Sequence, residues 1–289
     1  MDALSAGKLT RTLDPVHSLV YFLPDVYERF GALGMHGRTP YFATRSAPMG
    51  AVGPRVVAAT FYNFNPELVA ESIPAAWEMA SPQTVTDMRY AIADEALPRV
   101  LGDAMVGSPG FARAAELLRR VAESIPDADG RPLYAGHAEL PWPQSTHSKL
   151  WHAITLLREH RGDGHIAALV ANGLSGLEAL ITHTASGIGF TGEFAQRLRG
   201  WSDEQWGGAI ARLRERGLLD ESGALTPTGV QLRSDIEDLT DTLGFAPWRV
   251  LTDAEAGELQ EFAKNARKVV VGAGVFPVGA FAERWGAHR

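Results

Sequence analysis

The chain has 289 residues, no cysteine and a formal net charge of −7, with 45% hydrophobic and 21% charged residues. This composition is typical of a globular protein with enough apolar material for a core, and the length favours two domains. It excludes disulfides, thiolate nucleophiles and cysteine-built zinc sites, and the acidic balance argues against a broad nucleic-acid surface. No run approaches the roughly 18 apolar residues that a membrane span needs, so we expect no membrane partner. The lack of disulfides fits the cytoplasm, where we expect the protein to lie.

The first half of the sequence predicts a series of helices, several of which begin with proline at the first position. Residues 1–13 are expected to form a short arm, because they lack the apolar run of a signal peptide. A helix over residues 14–33 follows, kinked in its middle at Pro24. An amphipathic helix over residues 111–124 closes this half. We assign residues 1–125 to an N-terminal helical domain of degenerate winged-helix type.

A proline-rich stretch separates the two halves. Residues 126–146 hold an Asp-Ala-Asp-Gly turn sequence and four prolines, which predicts an irregular linker. Residues 147–289 form the predicted C-terminal winged-helix-like domain and its glycine-rich tail. Its helices are predicted over residues 147–160, 165–172, 175–186, 191–199, 202–216, 227–243 and 254–270.

The stretch 156–169 contains an unusual sequence, Arg-Gly-Asp-Gly-His, between two apolar helical patterns. Gly162 suits the end of a helix and Asp163 suits the start of the next, so a tight junction between two helices is predicted. The pattern leaves open whether this corner is only a well-capped junction or also the wall of a ligand site. Four charged or imidazole side chains belong to it: His160, Arg161, Asp163 and His165.

Residues 202–229 resemble the reading half of a winged helix. A capped helix leads into Leu-x-x-x-Gly-Leu-Leu at 213–219, an Asp-Glu-Ser-Gly turn, and Leu-Thr-x-x-Gly at 225–229, the pattern of MarR-type winged-helix regulators. The resemblance implies a small β-wing and a helix that reads DNA. Residues 203–204 and 220–221 are acidic, however, and would meet phosphates with negative charge. DNA is therefore a possible partner that the acidic wing disfavours.

The chain as a whole resembles a group of two-domain actinobacterial proteins described as helix-turn-helix or MarR-like. The matching pieces span most of the chain and lie at residues 59–64, 77–82, 140–143, 157–169, 176–180 and 200–202. The resemblance implies a mainly α fold with two winged-helix-like halves and a small β-wing in the second. It implies little about function.

Comparison of the sequence with itself indicates an internal duplication. Three pairs of segments match at offsets of 130, 123 and 121 residues: 17–18 with 147–148, 53–57 with 176–180, and 81–82 with 202–203. We hypothesise that the halves are degenerate copies of one unit, packed as a pseudo-dimer within a monomer. Chance similarity between helical sequences would give the same pattern, and a homodimer is the alternative assembly.

Aromatic residues beside polar groups in the first half predict a small-molecule pocket between the halves. The aromatics between Phe61 and Phe64 are too close in sequence to share one helix face, so some must point away from the local core. Arg45 or Arg161 would hold an anionic or polar group of the ligand. The alternative is that these aromatics form the interface between the halves. The predicted ligand-binding residues are Tyr21, Phe42, Arg45, Phe61, Tyr62, Phe64, Trp142, Trp151, His160, Arg161, Asp163 and His165.

No metal site is predicted, because the histidine pairs 147/152 and 160/165 are five residues apart and fall on different helix faces. No cofactor is expected, although His160 or His165 as a lone haem ligand stays open. The sequence has no Gly-x-Ser-x-Gly motif and no phosphate-binding loop, and residues 271–276 resemble only half of a dinucleotide loop.

We expect a small-molecule-binding winged-helix protein that acts as a ligand-responsive transcriptional regulator or a sequestering protein. Its ligand would be a small hydrophobic or aromatic molecule. The alternative is an enzyme of natural-product metabolism that reuses the same scaffold. Its acid/base residues would come from the corner at residues 160–165.

Overall fold

The computed structural model describes residues 1–283, in which α-helices are joined by short turns. Backbone pairing of the strand type occurs within that range only as two isolated bridges, Phe190 with Phe281 and Leu219 with Leu225. The predicted mainly α class is confirmed. Residues 284–289 of the predicted tail lie outside the described residues. No single helix in the described range is long and apolar enough to cross a membrane; one helix pair, bent by 101°, reaches that length and apolarity only together.

The N-terminal residues form a buried helix, so the predicted short arm is wrong. Helix α1 (Ala3–Ser18) begins at Asp2, whose carboxylate accepts a hydrogen bond from Ser5 N at 2.8 Å. It buries a stripe of apolar residues that includes Leu9 and Leu13. These residues recur at helical spacing and never form a continuous run, and a stripe is enough to hold an amphipathic helix on a core.

The helix predicted over residues 14–33 is two helices. Helix α1 ends at Ser18, a 3-10 turn covers Leu19–Phe22, and helix α2 (Pro24–Gly31) starts with Pro24 in its first turn. Proline lacks the N–H that a helix interior needs but is tolerated at a helix start. Pro24 therefore begins a helix and does not bend one.

Seven further helices complete the first 125 residues: α3 (Thr39–Ser46), α4 (Pro54–Phe61), α5 (Pro66–Ser72), α6 (Ala75–Met79), α7 (Pro82–Leu101), α8 (Asp103–Val106) and α9 (Pro109–Glu123). Proline lies in the first turn of five of them, as the sequence predicts. The linker predicted over residues 126–146 is only partly irregular, because it contains helix α10 (Pro132–Ala138). Helix α10 buries Leu133 and His137, which are spaced one helical turn apart.

The predicted junction at the Arg-Gly-Asp-Gly-His sequence is wrong, because one helix, α11 (Thr146–Ala171), runs straight through it. Neither Gly162 nor Gly164 ends the helix, and Gly164 allows close packing. A Cβ added to Gly164 would lie 2.9 Å from Arg131 Nη1. Asp163 does not cap a helix either, since its carboxylate accepts a hydrogen bond from Tyr134 N at 2.9 Å. Tertiary contacts with α10 and its neighbours thus explain the residues that resemble a helix junction in the sequence.

Five helices follow: α12 (Gly176–Ala185), α13 (Gly192–Arg199), α14 (Asp203–Glu215), α15 (Pro227–Leu243) and α16 (Asp253–Gly272). Helices α13 and α14 are joined by a three-residue turn, the arrangement of a helix-turn-helix motif. Gly200 begins the turn with φ of 74°, a left-handed conformation that favours glycine. Ser202 and Gln205 then form a capping box at the start of α14.

The predicted β-wing does not form strands in the described structure. The turn at residues 220–224 is flanked by one isolated β-bridge, between Leu219 and Leu225. The Asp220 carboxylate accepts hydrogen bonds from Ser222 N and Ala224 N, at 2.8 and 3.0 Å, which makes the turn compact. Too few residues remain on either side for a ladder to extend.

Three hydrophobic clusters hold the helices together. The main core joins α1, α7, α9, α11 and α16, and its members include Leu13, Leu97, Leu118, Trp151 and Leu259. The N-terminal core lies among α2 to α7 and includes Phe30, Met35, Phe42, Ile73 and Ile92. The C-terminal core packs α12, α14 and α15 on the end of α11 and includes Leu169, Leu177, Leu213, Leu219 and Ile236. The main core draws on both predicted halves; the domain boundaries and the internal duplication stay predictions.

Candidate functional site

A cavity of about 880 Å³ lies between α1, α3, α4, α11 and the α12–α13 segment. We call it the central cavity, and its walls include Tyr21, Tyr41, Arg45, Phe61, Phe64, Arg158, Arg161, Asp163, His183 and Arg199. A second cavity of about 680 Å³ shares Phe61, Arg161 and His165 with it and extends to Arg233 on α15. Both volumes fall within the usual range of small-molecule sites.

The structure brings together most of the residues that the sequence predicts as ligand contacts. Seven of the twelve line the central cavity: Tyr21, Arg45, Phe61, Phe64, Arg161, Asp163 and His165. Tyr62 lines the second cavity. Phe42, Trp142, Trp151 and His160 are absent from the walls of both.

The four residues outside the walls have packing roles. Phe42 and Trp151 are fully buried in the N-terminal and main cores. Trp142 packs edge-on against His152 with ring centroids 4.7 Å apart, and the His160 ring contacts Tyr134 at 5.3 Å. Aromatic residues supply much of the apolar area of any core, so aromatic content in the sequence cannot separate a pocket wall from packing.

The backbone at Tyr62 explains how two nearby phenylalanines reach the same cavity. Tyr62 ends α4 with φ of 58°, an uncommon conformation for a residue with a side chain. The chain turns there, so that Phe61 on the helix and Phe64 beyond it both face the central cavity. The Phe64 ring lies 5.4 Å from the Tyr41 ring and completes an aromatic wall.

Behind the wall, the Tyr21 hydroxyl belongs to a buried hydrogen-bonded chain. Arg89 Nη2 donates to the Tyr21 oxygen at 2.8 Å, and Tyr21 O–H lies 3.0 Å from His17 Nε2. Thr155 donates to the Trp151 carbonyl, so it accepts from His17 Nδ1 at 2.9 Å, which leaves Nε2 to accept from Tyr21. Burial lowers the pKa of His17 well below its usual range, and the imidazole is therefore neutral in this chain.

Glu159 is the main buried carboxylate of the central cavity. It accepts hydrogen bonds from Arg45 Nη2 at 3.0 Å and from Arg158 Nη1 at 2.6 Å. Burial alone would raise the pKa of Glu159, but Arg158 and Arg45 outweigh burial and lower it to about 2. Arg45 also donates to the Tyr41 hydroxyl at 3.0 Å. Arg45, the sequence's first candidate for binding an anion, is thus already paired with a carboxylate.

Arg161, the other candidate, is also paired. Its Nη2 donates to Asp241 at 2.7 Å and to Glu237 at 3.1 Å, both on α15. Arg11 from α1 contacts the same two carboxylates, and Asp241 is almost completely buried. This ion-pair network connects α1, α11 and α15, so its main role is to hold these three helices together.

Two arginines that the sequence analysis did not select lie in the same cavity wall, Arg38 and Arg199. The Arg199 guanidinium carbon is 4.0 Å from the centre of the Phe64 ring, and its Nε is buried without a hydrogen-bond partner. Within residues 1–283 neither arginine forms an ion pair with a carboxylate. Burial lowers the pKa of both. The sequence offers one signal for this region: Tyr41 and Arg45 are four residues apart, so on a helix their side chains are neighbours.

Three of the four residues of the predicted acid/base corner lie in the wall of the same cavity. Arg161, Asp163 and His165 line the central cavity, whereas His160 lies outside its wall. Burial raises the pKa of Asp163 to about 6 and lowers the pKa of His165 to about 3. In the described range, no three His, Asp or Glu side chains are grouped so that they could hold a metal ion.

The turn between α13 and α14 is hydrogen-bonded to the segment that lines the cavity. Asn65 Nδ2 donates to the Gly200 carbonyl at 2.9 Å and to Gln205 Oε1 at 3.2 Å, and Asn65 N donates to the Arg199 carbonyl at 2.9 Å. Trp201 Nε1 donates to the Asn63 carbonyl at 3.0 Å. These bonds connect the turn to residues that lie directly beside Phe64.

The surface of α14 is not basic. Asp203 and Glu204 at its start are exposed. The arginines near its end make contacts within the protein: Arg212 and Arg216 pair with Glu178, and Arg214 donates to the Asp220 carbonyl. As arranged here, the helix offers few free cations to a phosphate backbone.

A comparison with protein-family models finds one that covers nearly the whole chain. The model is described as a helix-turn-helix family and matches residues 6–277. Neither a curated protein nor a solved structure matches the chain.

Proposed function

The chain belongs to this helix-turn-helix family, which points to a protein of the DNA-binding regulatory type, and from that premise we propose a ligand-responsive regulator. Its central cavity would bind a small, partly aromatic molecule. Occupation of the cavity would change how the helix-turn-helix motif is held. MarR-like behaviour, in which a pocket is coupled to a DNA reading head, is part of this proposal.

The observation that carries the proposal is the direct connection between cavity and motif. Asn65 is hydrogen-bonded to both sides of the turn between α13 and α14, and its neighbour Phe64 forms part of the cavity wall. A molecule that displaced Phe64 would also displace Asn65. Packed interfaces tend to switch between discrete arrangements, so a small shift there changes the position of α14.

Two measurements test the proposal. Native mass spectrometry of protein purified from its own host, compared with the denatured mass, identifies any retained small molecule. DNA fragments selected from the host genome by the purified protein are then titrated by fluorescence anisotropy over a series of salt concentrations, with and without that molecule. We expect salt-dependent binding and an affinity change of about fivefold or more. Absence of DNA binding at low salt, or an affinity that the molecule does not change, would contradict the regulator.

The Asn65→Ser variant tests the connection itself. Serine keeps an oxygen that can cap α5, as the Asn65 side chain does, but it lacks the amide that donates to the turn. We expect the variant to bind the small molecule and to lose most of the effect on DNA affinity. Asn265→Ser on the exposed face of α16 is the matched control and should leave the effect unchanged.

The acidic start of α14 favours a second candidate, a sequestering protein that binds the small molecule without DNA. The same titration separates the two functions, since only the regulator requires salt-dependent DNA binding.

A further inference from the structure

We infer that the central cavity binds a small organic anion, whose acidic group lies between Arg38 and Arg199 beside the Tyr41 hydroxyl. The apolar body of the molecule would contact Phe64 and Phe61. This inference rests on the proposed function, because it concerns the same cavity, and it adds the chemical class of the ligand.

The charge of the cavity wall is the opposite of the charge of the whole chain. Seven arginines and three carboxylates line the central cavity, although the chain has a formal net charge of −7. One of the three carboxylates, Glu159, is shared by two arginines, and another, Asp163, accepts a backbone N–H of α10. Arg11 and Arg161 are also paired, with carboxylates of α15 that lie outside the wall. The positive potential that raises the local concentration of anions in this concave site therefore comes mainly from arginines without a carboxylate partner among the described residues, such as Arg38 and Arg199.

Arg199 and Arg38 are the residues that would contact the acidic group of the ligand. In the described part of the chain, neither has a carboxylate within 4 Å; Arg38 Nη2 donates only to the Arg197 carbonyl, at 3.3 Å. Both side chains are partly buried, and a cation partly withdrawn from water without a counter-charge is costly. An anion held by two guanidinium groups would offset that cost. Tyr41 stands beside them and can donate a third hydrogen bond; burial raises its pKa, but Arg45 and Arg199 outweigh burial and lower it to about 8.

The rest of the cavity suits an apolar body. Phe64 lies directly under the Arg199 guanidinium, and the Phe61 ring lies 4.5 Å from the Arg45 guanidinium carbon. The acidic group and an attached ring would therefore meet the cation and the aromatic wall at the same time. An inorganic anion would satisfy the arginines but leave most of the 880 Å³ without apolar contact.

A pair of isosteric probes tests the charge requirement in the wild-type protein. Naphthalene-2-carboxylate and naphthalene-2-carboxamide have the same ring and nearly the same size, and only the first is an anion at pH 7. We expect isothermal titration calorimetry to show at least about tenfold tighter binding of the carboxylate, because charge-assisted hydrogen bonds to guanidinium groups are roughly twice as strong as neutral ones. Equal affinities would overturn the inference.

Arg199→Gln and Arg38→Gln locate the contact. Each removes a charge while keeping a polar side chain, and each should weaken carboxylate binding about tenfold without changing carboxamide binding. Arg212→Gln, on the solvent side of α14, is the control and should change neither affinity. Thermal melting verifies that each variant is folded. Carboxylate selectivity that persists in both folded variants would overturn the assignment to these two arginines.

The outcomes separate this inference from the proposed function. If carboxylate selectivity holds but DNA affinity never responds to the occupied cavity, the anion site stands and the regulator fails. If both probes bind equally while the co-purified molecule changes DNA affinity, the regulator stands and the anion site fails.

Discussion

Replacing Tyr21 with Phe should destabilise the protein far more than the loss of one oxygen atom suggests. The ring volume is retained, so packing in the main core changes little. Two buried groups lose their partner: Arg89 Nη2, now 2.8 Å from the hydroxyl, and His17 Nε2, now 3.0 Å from it. A buried polar group left unsatisfied costs about 1–3 kcal/mol, more if charged, so the free energy of unfolding should fall by about 2–5 kcal/mol.

Urea unfolding followed by circular dichroism measures this change, with the wild-type protein as reference. Tyr27→Phe is the matched control, because Tyr27 is half exposed and its hydroxyl makes one long contact, 3.4 Å, with the Tyr21 carbonyl. The control should stay within about 0.5 kcal/mol of wild type. A Tyr21→Phe variant equally close to wild type would refute the argument that the buried chain depends on this hydroxyl.

The remaining predictions concern pH and close packing. Burial lowers to about 3 or 4 the pKa values of three buried histidines, His137, His152 and His160. Below pH 6.5 the unfolded chain binds protons at these groups and the folded chain does not, so the free energy of unfolding should fall by about 2 kcal/mol per histidine at pH 5. The raised pKa of Asp163 acts in the opposite direction and should restore about 1 kcal/mol at that pH. Melting curves that coincide from pH 7 to 5 would contradict this prediction. In Gly7→Ala, the new Cβ would lie 2.0 Å from the Asp241 carboxylate and break a buried ion-pair network, at a cost of about 3 kcal/mol or more. Gly257→Ala has open space around the Cβ and should stabilise α16 by about 0.5–1 kcal/mol; similar melting temperatures for the two variants would show that Gly7 is not a packing constraint.

Much of the helical framework could be predicted from local signals. Proline in the first turn and serine or threonine caps place the starts of α4, α5, α7 and α15, because capping depends on residues within one turn of the helix end. The same signals fail where tertiary contacts use the residue differently. Glycine and aspartate at the centre of α11 have the chemistry of a helix junction, yet Gly164 leaves room for Arg131 and Asp163 binds the backbone of α10.

The candidate site also contains residues that local sequence signals predict and residues whose role depends on tertiary contacts. From the sequence we could predict aromatic and cationic candidates for a pocket, because the aromatics between Phe61 and Phe64 are too close to share one helix face. The same pattern also fits an interface between the two halves. Which cations remain without a counter-charge depends on tertiary contacts. Arg45 and Arg161 are paired with carboxylates from α11 and α15, whereas Arg199 reaches the cavity with none. Each of these ion pairs joins side chains more than 70 residues apart in the chain, and local sequence patterns do not identify such distant partners.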